Sequence, residues 1–162
     1  MPATEEELFA RLDRLGVAWT THRHPPVYTV EEAKALRGAL PGAHAKNLFL
    51  VDRKGRLWLV VALEDRAIDL KRLRTTLGCG ALSFARGEVL RATLGVEPGS
   101  VTPFALINDH AARVTIVLDE EMLAWPLLNF HPLANTATTA ITPEGLLAFI
   151  RSCGREAAIA TL

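Results

Sequence analysis

Apolar positions along this chain follow two rhythms, and the switches between them mark its elements. Leu8, Leu12 and Leu15 share one face at helical spacing, and Thr4-Glu5-Glu6-Glu7 before them is a capping box. A helix is therefore predicted from Thr4 to Gly16, where glycine ends it. Val17 to Thr21 reads as a strand running into His22-Arg23-His24-Pro25-Pro26, whose prolines break regularity. Thr29-Val30-Glu31-Glu32 is a second capping box and opens a short helix to about Arg37. Gly38 to His44 reads as a loop. Asn47–Val51 and Leu57–Ala62 are apolar runs joined by the charged turn Asp52-Arg53-Lys54-Gly55, which predicts a hairpin.

Further on, Asp69 is placed to cap a helix carrying Lys71 and Arg72 on its outer face. A strand near Ala81–Phe84 and a helix over Glu88–Leu94 follow. Thr102-Pro103 reads as an N-cap and first helical residue, and Val114–Leu118, Leu127–Phe130 and Ala137–Ile141 read as strands. Thr142-Pro143 caps a C-terminal helix. Strands joined mainly by hairpins, with helices at intervals, predict an α+β fold: one domain over residues 1–162, with a central mixed, mainly antiparallel sheet flanked by helices. There is no βαβ alternation, no GxGxxG and no GxxxxGK[ST], so dinucleotide and nucleoside-triphosphate sites have no support.

Charge narrows the partners. Lysine and arginine number 18 and so do aspartate and glutamate, so no net field draws a polyanion or an anionic membrane. Any nucleic-acid contact must come from a local patch. No apolar run nears the roughly 18 residues that span a bilayer. The acidic start does not resemble a secretory signal, and Cys79 and Cys153 show no ligand spacing. Both features predict a cytoplasmic protein with reduced thiols and no metal.

Three places carry candidate chemistry. Lys46 and Asn47 stand where a polar loop becomes the buried run Leu48–Val51, and a lysine there is either a solvated flank or a cation aimed into a cleft. The segment Gly95 to Phe104 holds two glycines, two prolines and two hydroxyls; it is either a rigid connector or a cradle whose backbone N–H groups meet a carbonyl or phosphate. His131 ends an apolar strand and is held by Pro132, with Asn135, Thr136, Thr138 and Thr139 nearby; a lone histidine in this setting is more often structural than catalytic. Asn108-Asp109-His110 is readable as an Asx turn. No GxSxG, HExxH or HxH occurs.

The order of these pieces adds what each lacks. His24-Pro25-Pro26, Thr29-Val30-Glu31-Glu32, Lys46-Asn47-Leu48-Phe49-Leu50, Asp69-Leu70-Lys71, Leu94 to Pro103, Asn108-Asp109 and Phe130-His131-Pro132 together resemble the YbaK and prolyl-tRNA-synthetase-associated editing domains. These are aminoacyl-tRNA deacylases that act in trans, and the likeness is greatest to the free-standing Ala-tRNA(Pro) deacylase branch. The resemblance implies hydrolysis of the ester on mischarged tRNA(Pro), without a cofactor, with prolyl-tRNA synthetase as a possible partner and neither membrane nor DNA involved. It assigns Lys46 and His131 to catalysis, with Asn47, Gly99, Ser100, Val101, Thr102 and Pro103 against the substrate. Lys54, Lys71, Arg72, Arg74 and Arg86 are the candidate basic rim for the acceptor stem. The alternatives are a deacylase of Cys-tRNA(Pro) or another small-amino-acid tRNA, and a non-catalytic tRNA- or synthetase-binding module of the same fold.

Overall fold

The computed structural model describes residues 1–26 and 30–162. Its elements are α1 (Glu5–Arg14), β1 (Trp19–Arg23), α2 (Val30–Ala39), β2 (Ala43–Val51), β3 (Leu57–Leu63), α3 (Leu70–Leu77), β4 (Ser83–Phe84) and α4 (Gly87–Leu94). A 3-10 helix over Pro103–Asn108, β5 (Val114–Asp119), a 3-10 turn at Met122–Ala124, β6 (Leu128–Phe130), β7 (Ala137–Ile141), α5 (Pro143–Ser152) and β8 (Ala158–Ala160) complete it. The strands form one sheet in the order β1-β7-β6-β2-β3-β5-β8, with β4 also paired to β2. Four pairings are antiparallel (β1–β7, β6–β7, β2–β3, β2–β4) and three parallel (β2–β6, β3–β5, β5–β8), so the sheet is mixed and mainly antiparallel, as its sequence predicts.

β3 sits at the centre because it is apolar throughout. Leu57, Leu59 and Val61 face the main core with α1, α4 and α5, while Trp58 and Val60 face a smaller cluster with Leu73 of α3. A strand covered on both faces needs such a continuous run. On the main face Leu8 and Leu12 of α1 are fully buried, each contributing ~1.5–3 kcal/mol by removal from water. The caps fall where local chemistry puts them. Thr4 and Glu7 close a capping box, Asp69 accepts from the Lys71 N–H, and Thr142 accepts from the Gly145 N–H. Both cysteines are free and half-buried, and burial pushes both thiols up. Among the described residues no helix is long and apolar enough to cross a membrane.

Several boundaries differ from the sequence reading. β1 lies two residues later than predicted, and β8 has no counterpart in the prediction; it is three residues long and is held by parallel pairing to β5. Thr29 of the second capping box lies outside the described residues, although α2 begins at Val30. The largest correction is β2, which starts at Ala43 within the expected loop. Ala43 and His44 pair in parallel with Leu128 and Asn129, a non-local partnership that local pattern does not encode. Asn129 secures it by donating through Nδ2 to the carbonyls of Pro41 (2.9 Å) and Ala43 (3.2 Å). Gly42 makes room: its φ is +99°, and a Cβ there would lie 2.7 Å from the Leu127 carbonyl oxygen.

Candidate functional site

β2 is paired along one side with β3 from Ala45 to Val51. On the other side it meets β6 only at Ala43–His44 and β4 only at Leu50–Val51. Between those contacts β2 and β6 part, and the fork holds a cavity of about 330 Å³. Two parallel strands thus diverge at their carboxyl ends and leave a crevice, a recurrent position for ligand sites in α/β sheets. Leu36 of α2, Ala45 and Phe130 supply apolar wall, while His44, Lys46, Asn47, Glu64, Asn129, His131 and Thr138 supply the polar groups. Three of the predicted site residues, Lys46, Asn47 and His131, therefore converge although 84 positions separate Asn47 from His131.

Lys46 is half-buried, and its ammonium donates to the Arg66 main-chain carbonyl. An ammonium has three N–H donors, so two remain for a ligand. The carbonyl is itself fixed. The Arg66 guanidinium donates to Asp119 Oδ2 (2.9 Å), to Glu121 and to the Leu162 main-chain oxygen (2.6 Å). Asp119 is fully buried and also accepts from the N–H groups of Leu63 and Glu121. Sequence reading passed over Arg66 and Asp119, since neither stands in a recognisable motif.

Asn47 presents the one anomaly of the cavity. Its Oδ1 is buried with no hydrogen-bond partner among the described residues. Such an acceptor costs ~1–3 kcal/mol unless something donates to it. Asn47 lines the cavity but Oδ1 itself is closed to solvent, so a ligand's donor reaches it only when the amide turns.

His131 Nδ1 lies 3.0 Å from the Ala137 carbonyl oxygen. A carbonyl only accepts, so Nδ1 carries the proton and Nε2 keeps a lone pair. Burial is the main cause that lowers the His131 pKa below the ordinary value; the Ala137 hydrogen bond opposes it and nearby His24 reinforces it. The imidazole is thus neutral at pH 7 and an acceptor at Nε2. His24 Nδ1 faces the Pro25 carbonyl oxygen (2.9 Å) and its Nε2 lies 2.9 Å from the Thr138 hydroxyl oxygen, so His24 and Thr138 form one hydrogen-bonded wall. His24 and His131 rings stand 6.5 Å apart. His24 and Thr138 join the site through the β1–β7 pairing, which no local signal announces.

The glycine–proline segment is placed differently. None of Gly99, Ser100, Val101, Thr102 and Pro103 lines the cavity. Pro98 and Gly99 occupy the middle of a tight turn closed by the Ser100 N–H on the Glu97 carbonyl (2.9 Å), and Gly99 has φ +93°. That is the Pro-Gly pattern of a type II turn, which by itself explains the glycine. Ser100 is buried, Val101 packs against the main core, and the Thr102 hydroxyl accepts from the Phe104 N–H (3.3 Å). The segment reaches the cavity one layer back: Phe104 meets Phe130 edge to face, with centroids 5.9 Å apart.

Lys54, Lys71, Arg72, Arg74 and Arg86 are all exposed and all lie away from this cavity. Lys54 stands in the turn at the far end of the β2–β3 hairpin; the strand from Lys46 to Val51 alone spans roughly 16 Å at ~3.3 Å per residue. Asn108 and Asp109 are structural. Asn108 ties the Ala3 N–H to the Leu94 carbonyl, and Asp109 forms a buried ion pair with Arg155 (2.5 Å). Among the described residues no group of three or more histidine, cysteine or acidic side chains is gathered to hold a metal.

Known proteins resemble this chain over most of its length. The family model of the aminoacyl-tRNA editing domain matches residues 24–149. The prolyl-tRNA editing protein ProX of Acetoanaerobium sticklandii is 37% identical over 151 residues, covering 93% of this chain and 92% of its own. A prolyl-tRNA synthetase associated domain-containing protein of Xenopus laevis is 39% identical over 156 residues, covering 93% and 92%. A solved structure described as a candidate trans-editing enzyme for prolyl tRNA synthetase superposes with a TM-score of 0.72 at 25% identity, covering 100% of this chain and 99% of that one.

Proposed function

This chain belongs to the aminoacyl-tRNA editing domain family, and from that premise we propose that it hydrolyses alanine from mischarged tRNA(Pro) in trans. The observation that carries the reading is that Lys46, Asn47 with its orphaned Oδ1, and His131 all line one half-apolar cavity. An aminoacyl ester brings both complements: an α-ammonium that donates to Oδ1, and a carbonyl that becomes an oxyanion on attack. The two N–H donors left on Lys46 stabilise that oxyanion or grip the neighbouring phosphate. His131 Nε2 and the Thr138 oxygen accept hydrogen bonds and orient a water or the vicinal ribose hydroxyl.

The chemistry asks little more. Water adds to the ester carbonyl, the tetrahedral intermediate expels the ribose oxygen, and the proton removed from water ends on that oxygen. The products are free alanine and an uncharged tRNA. Because the ester is already activated, orientation and oxyanion stabilisation suffice without a protein nucleophile. The apolar wall of Leu36, Ala45 and Phe130 receives the amino-acid side chain and sets its permitted size. Such a second sieve is needed because a synthetic pocket separates a larger from a smaller apolar side chain by only ~1–3 kcal/mol per methylene. The exposed basic residues Lys54, Lys71, Arg72, Arg74 and Arg86 serve as phosphate contacts for the acceptor stem, and prolyl-tRNA synthetase is the natural source of the substrate.

The test is a deacylation panel on tRNA(Pro) charged with alanine, cysteine, serine or proline. Alanine is released and proline spared, and Lys46→Ala loses the activity. Preferred release of cysteine would move the assignment to that amino acid; full activity in Lys46→Ala would remove Lys46 from the mechanism.

A further inference from the structure

Beyond the reaction cavity, across His44 and Glu64, lies a second cleft of about 400 Å³ that shares both residues with it. Its other walls include Asp65, Arg66, Glu121 and Trp125. Trp125 ends the 3-10 turn at Met122–Ala124 and leaves 45% of its surface in solvent. Only one other aromatic side chain among the described residues is exposed, Phe84 on β4, and it borders neither cavity. An indole left open in a cleft that continues from a reaction site is a stacking surface awaiting a flat partner.

Charge says which part of a nucleic acid enters. The Arg66 guanidinium is spent on Asp119, Glu121 and the Leu162 main-chain oxygen, so it has little to offer a phosphate. Asp65 is exposed on the rim and Glu121 stands beside Arg66; both carboxylates repel phosphate and accept from amino groups. A base with an exocyclic amine fits such walls, as carboxylates accept from cytosine N4. A tRNA ends in the single-stranded sequence CCA, so a cytidine adjoins the reacting adenosine.

We propose that this Trp125 cleft is a nucleobase subsite that stacks the penultimate cytosine of the RNA while the terminal aminoacyl-adenosine occupies the neighbouring cavity. The inference rests on the aminoacyl-tRNA reading of that cavity. It gives the exposed tryptophan a task and accounts for a neutral protein holding an RNA end by stacking, with its cations kept for the stem. Base–aromatic stacking contributes ~1–3 kcal/mol per base, which at tenfold per 1.4 kcal/mol is roughly 5- to 150-fold in affinity.

The experiment compares dissociation constants for two non-hydrolysable amides, 3′-alanylamido-3′-deoxyadenosine and the same group on a CpA dinucleotide. Wild-type protein should bind the dinucleotide roughly 5- to 150-fold more tightly. Trp125→Ala should erase that preference while leaving the mononucleotide constant unchanged, and Trp125→Phe should keep most of it. A UpA version should bind more weakly than CpA. Retention of the full CpA preference in Trp125→Ala, or its absence in the wild type, would overturn the subsite, and equal binding of UpA would overturn its assignment to cytosine. Turnover is read separately on alanyl-tRNA(Pro). A wild type that hydrolyses the ester without any CpA preference loses the subsite and keeps the deacylase reading; one with the preference but no hydrolysis does the reverse.

Discussion

Replacing Asn47 with leucine should make the empty protein more stable and the enzyme inactive. Among the described residues Oδ1 of Asn47 is buried without a donor, and an unmade hydrogen bond of this kind costs ~1–3 kcal/mol. Leucine has the same heavy-atom skeleton and carries no polar atom, so the substitution removes that cost, offset in part by its bulkier methyl groups. For a chain of this size each kcal/mol moves Tm by ~2–4 °C, so the melting temperature should rise by roughly 2–12 °C. Activity moves oppositely. A hydrogen bond to a charged group contributes ~1.5–3 kcal/mol, so loss of the acceptor for the substrate ammonium should lower kcat/KM roughly 10- to 150-fold. Scanning calorimetry with and without 3′-alanylamido-3′-deoxyadenosine separates the two effects. At a hundred times its dissociation constant the ligand should add ~2.7 kcal/mol to the wild type and far less to Asn47→Leu. A variant that melts below the wild type would show that the buried oxygen carries no penalty. Unimpaired turnover would show that Asn47 never meets the substrate.

Two further predictions rest on the charged groups. Burial holds His131 below its ordinary value, so the acid limb of kcat/KM should lie below about pH 6.5, and His131→Asn should abolish it; a limb above 6.5 would contradict a buried neutral imidazole. The same shift makes the unfolded chain bind the proton more readily, so His131 should reduce stability as pH falls below about 6.5 and have no effect above it, a slope that urea unfolding of His131→Asn should lack. The Asp109–Arg155 pair is nearly buried, with side-chain exposures of 3% and 9%, and ties the start of β5 to the segment after α5. Arg155→Ala strands the carboxylate and should cost about 3–5 kcal/mol in urea unfolding, and a loss under 1 kcal/mol would refute that role.

What could be read from the chain was what neighbouring residues decide. Thr4, Asp69 and Thr142 each announce a helix start through a side chain that reaches two or three residues on, and each does so in the structure. The double coverage of β3 is likewise visible in its unbroken apolar run. Lys46 was legible as a charge out of place at the mouth of a buried strand, but its grip on the Arg66 carbonyl was not, because Arg66 is placed by Asp119 at the end of β5. The early start of β2 depends on Leu128 and Asn129, and the arrival of His24 and Thr138 depends on β1 pairing with β7. The Gly99 turn shows the converse limit. The segment reads as either a rigid connector or a ligand cradle, and Pro98-Gly99 forms the type II turn that suits that dipeptide, which local pattern alone does not separate from a cradle.

The fork in the sheet also bears on how the protein meets other chains. Residues 45–48 of β2 have main-chain pairing on the β3 side only, the Phe49 carbonyl being met by the Ala85 N–H (3.0 Å), so among the described residues they form an open sheet edge inside the molecule. Open edges invite strand addition, the route to domain swapping and fibres. Here β6 and β4 stand at either end and leave a window of four residues, about 13 Å long. A window that short offers an added strand few pairs, whereas one aminoacyl nucleoside needs no more. On the proposed function, the window leaves main-chain groups open to a compact ester while limiting what an extended peptide could pair with.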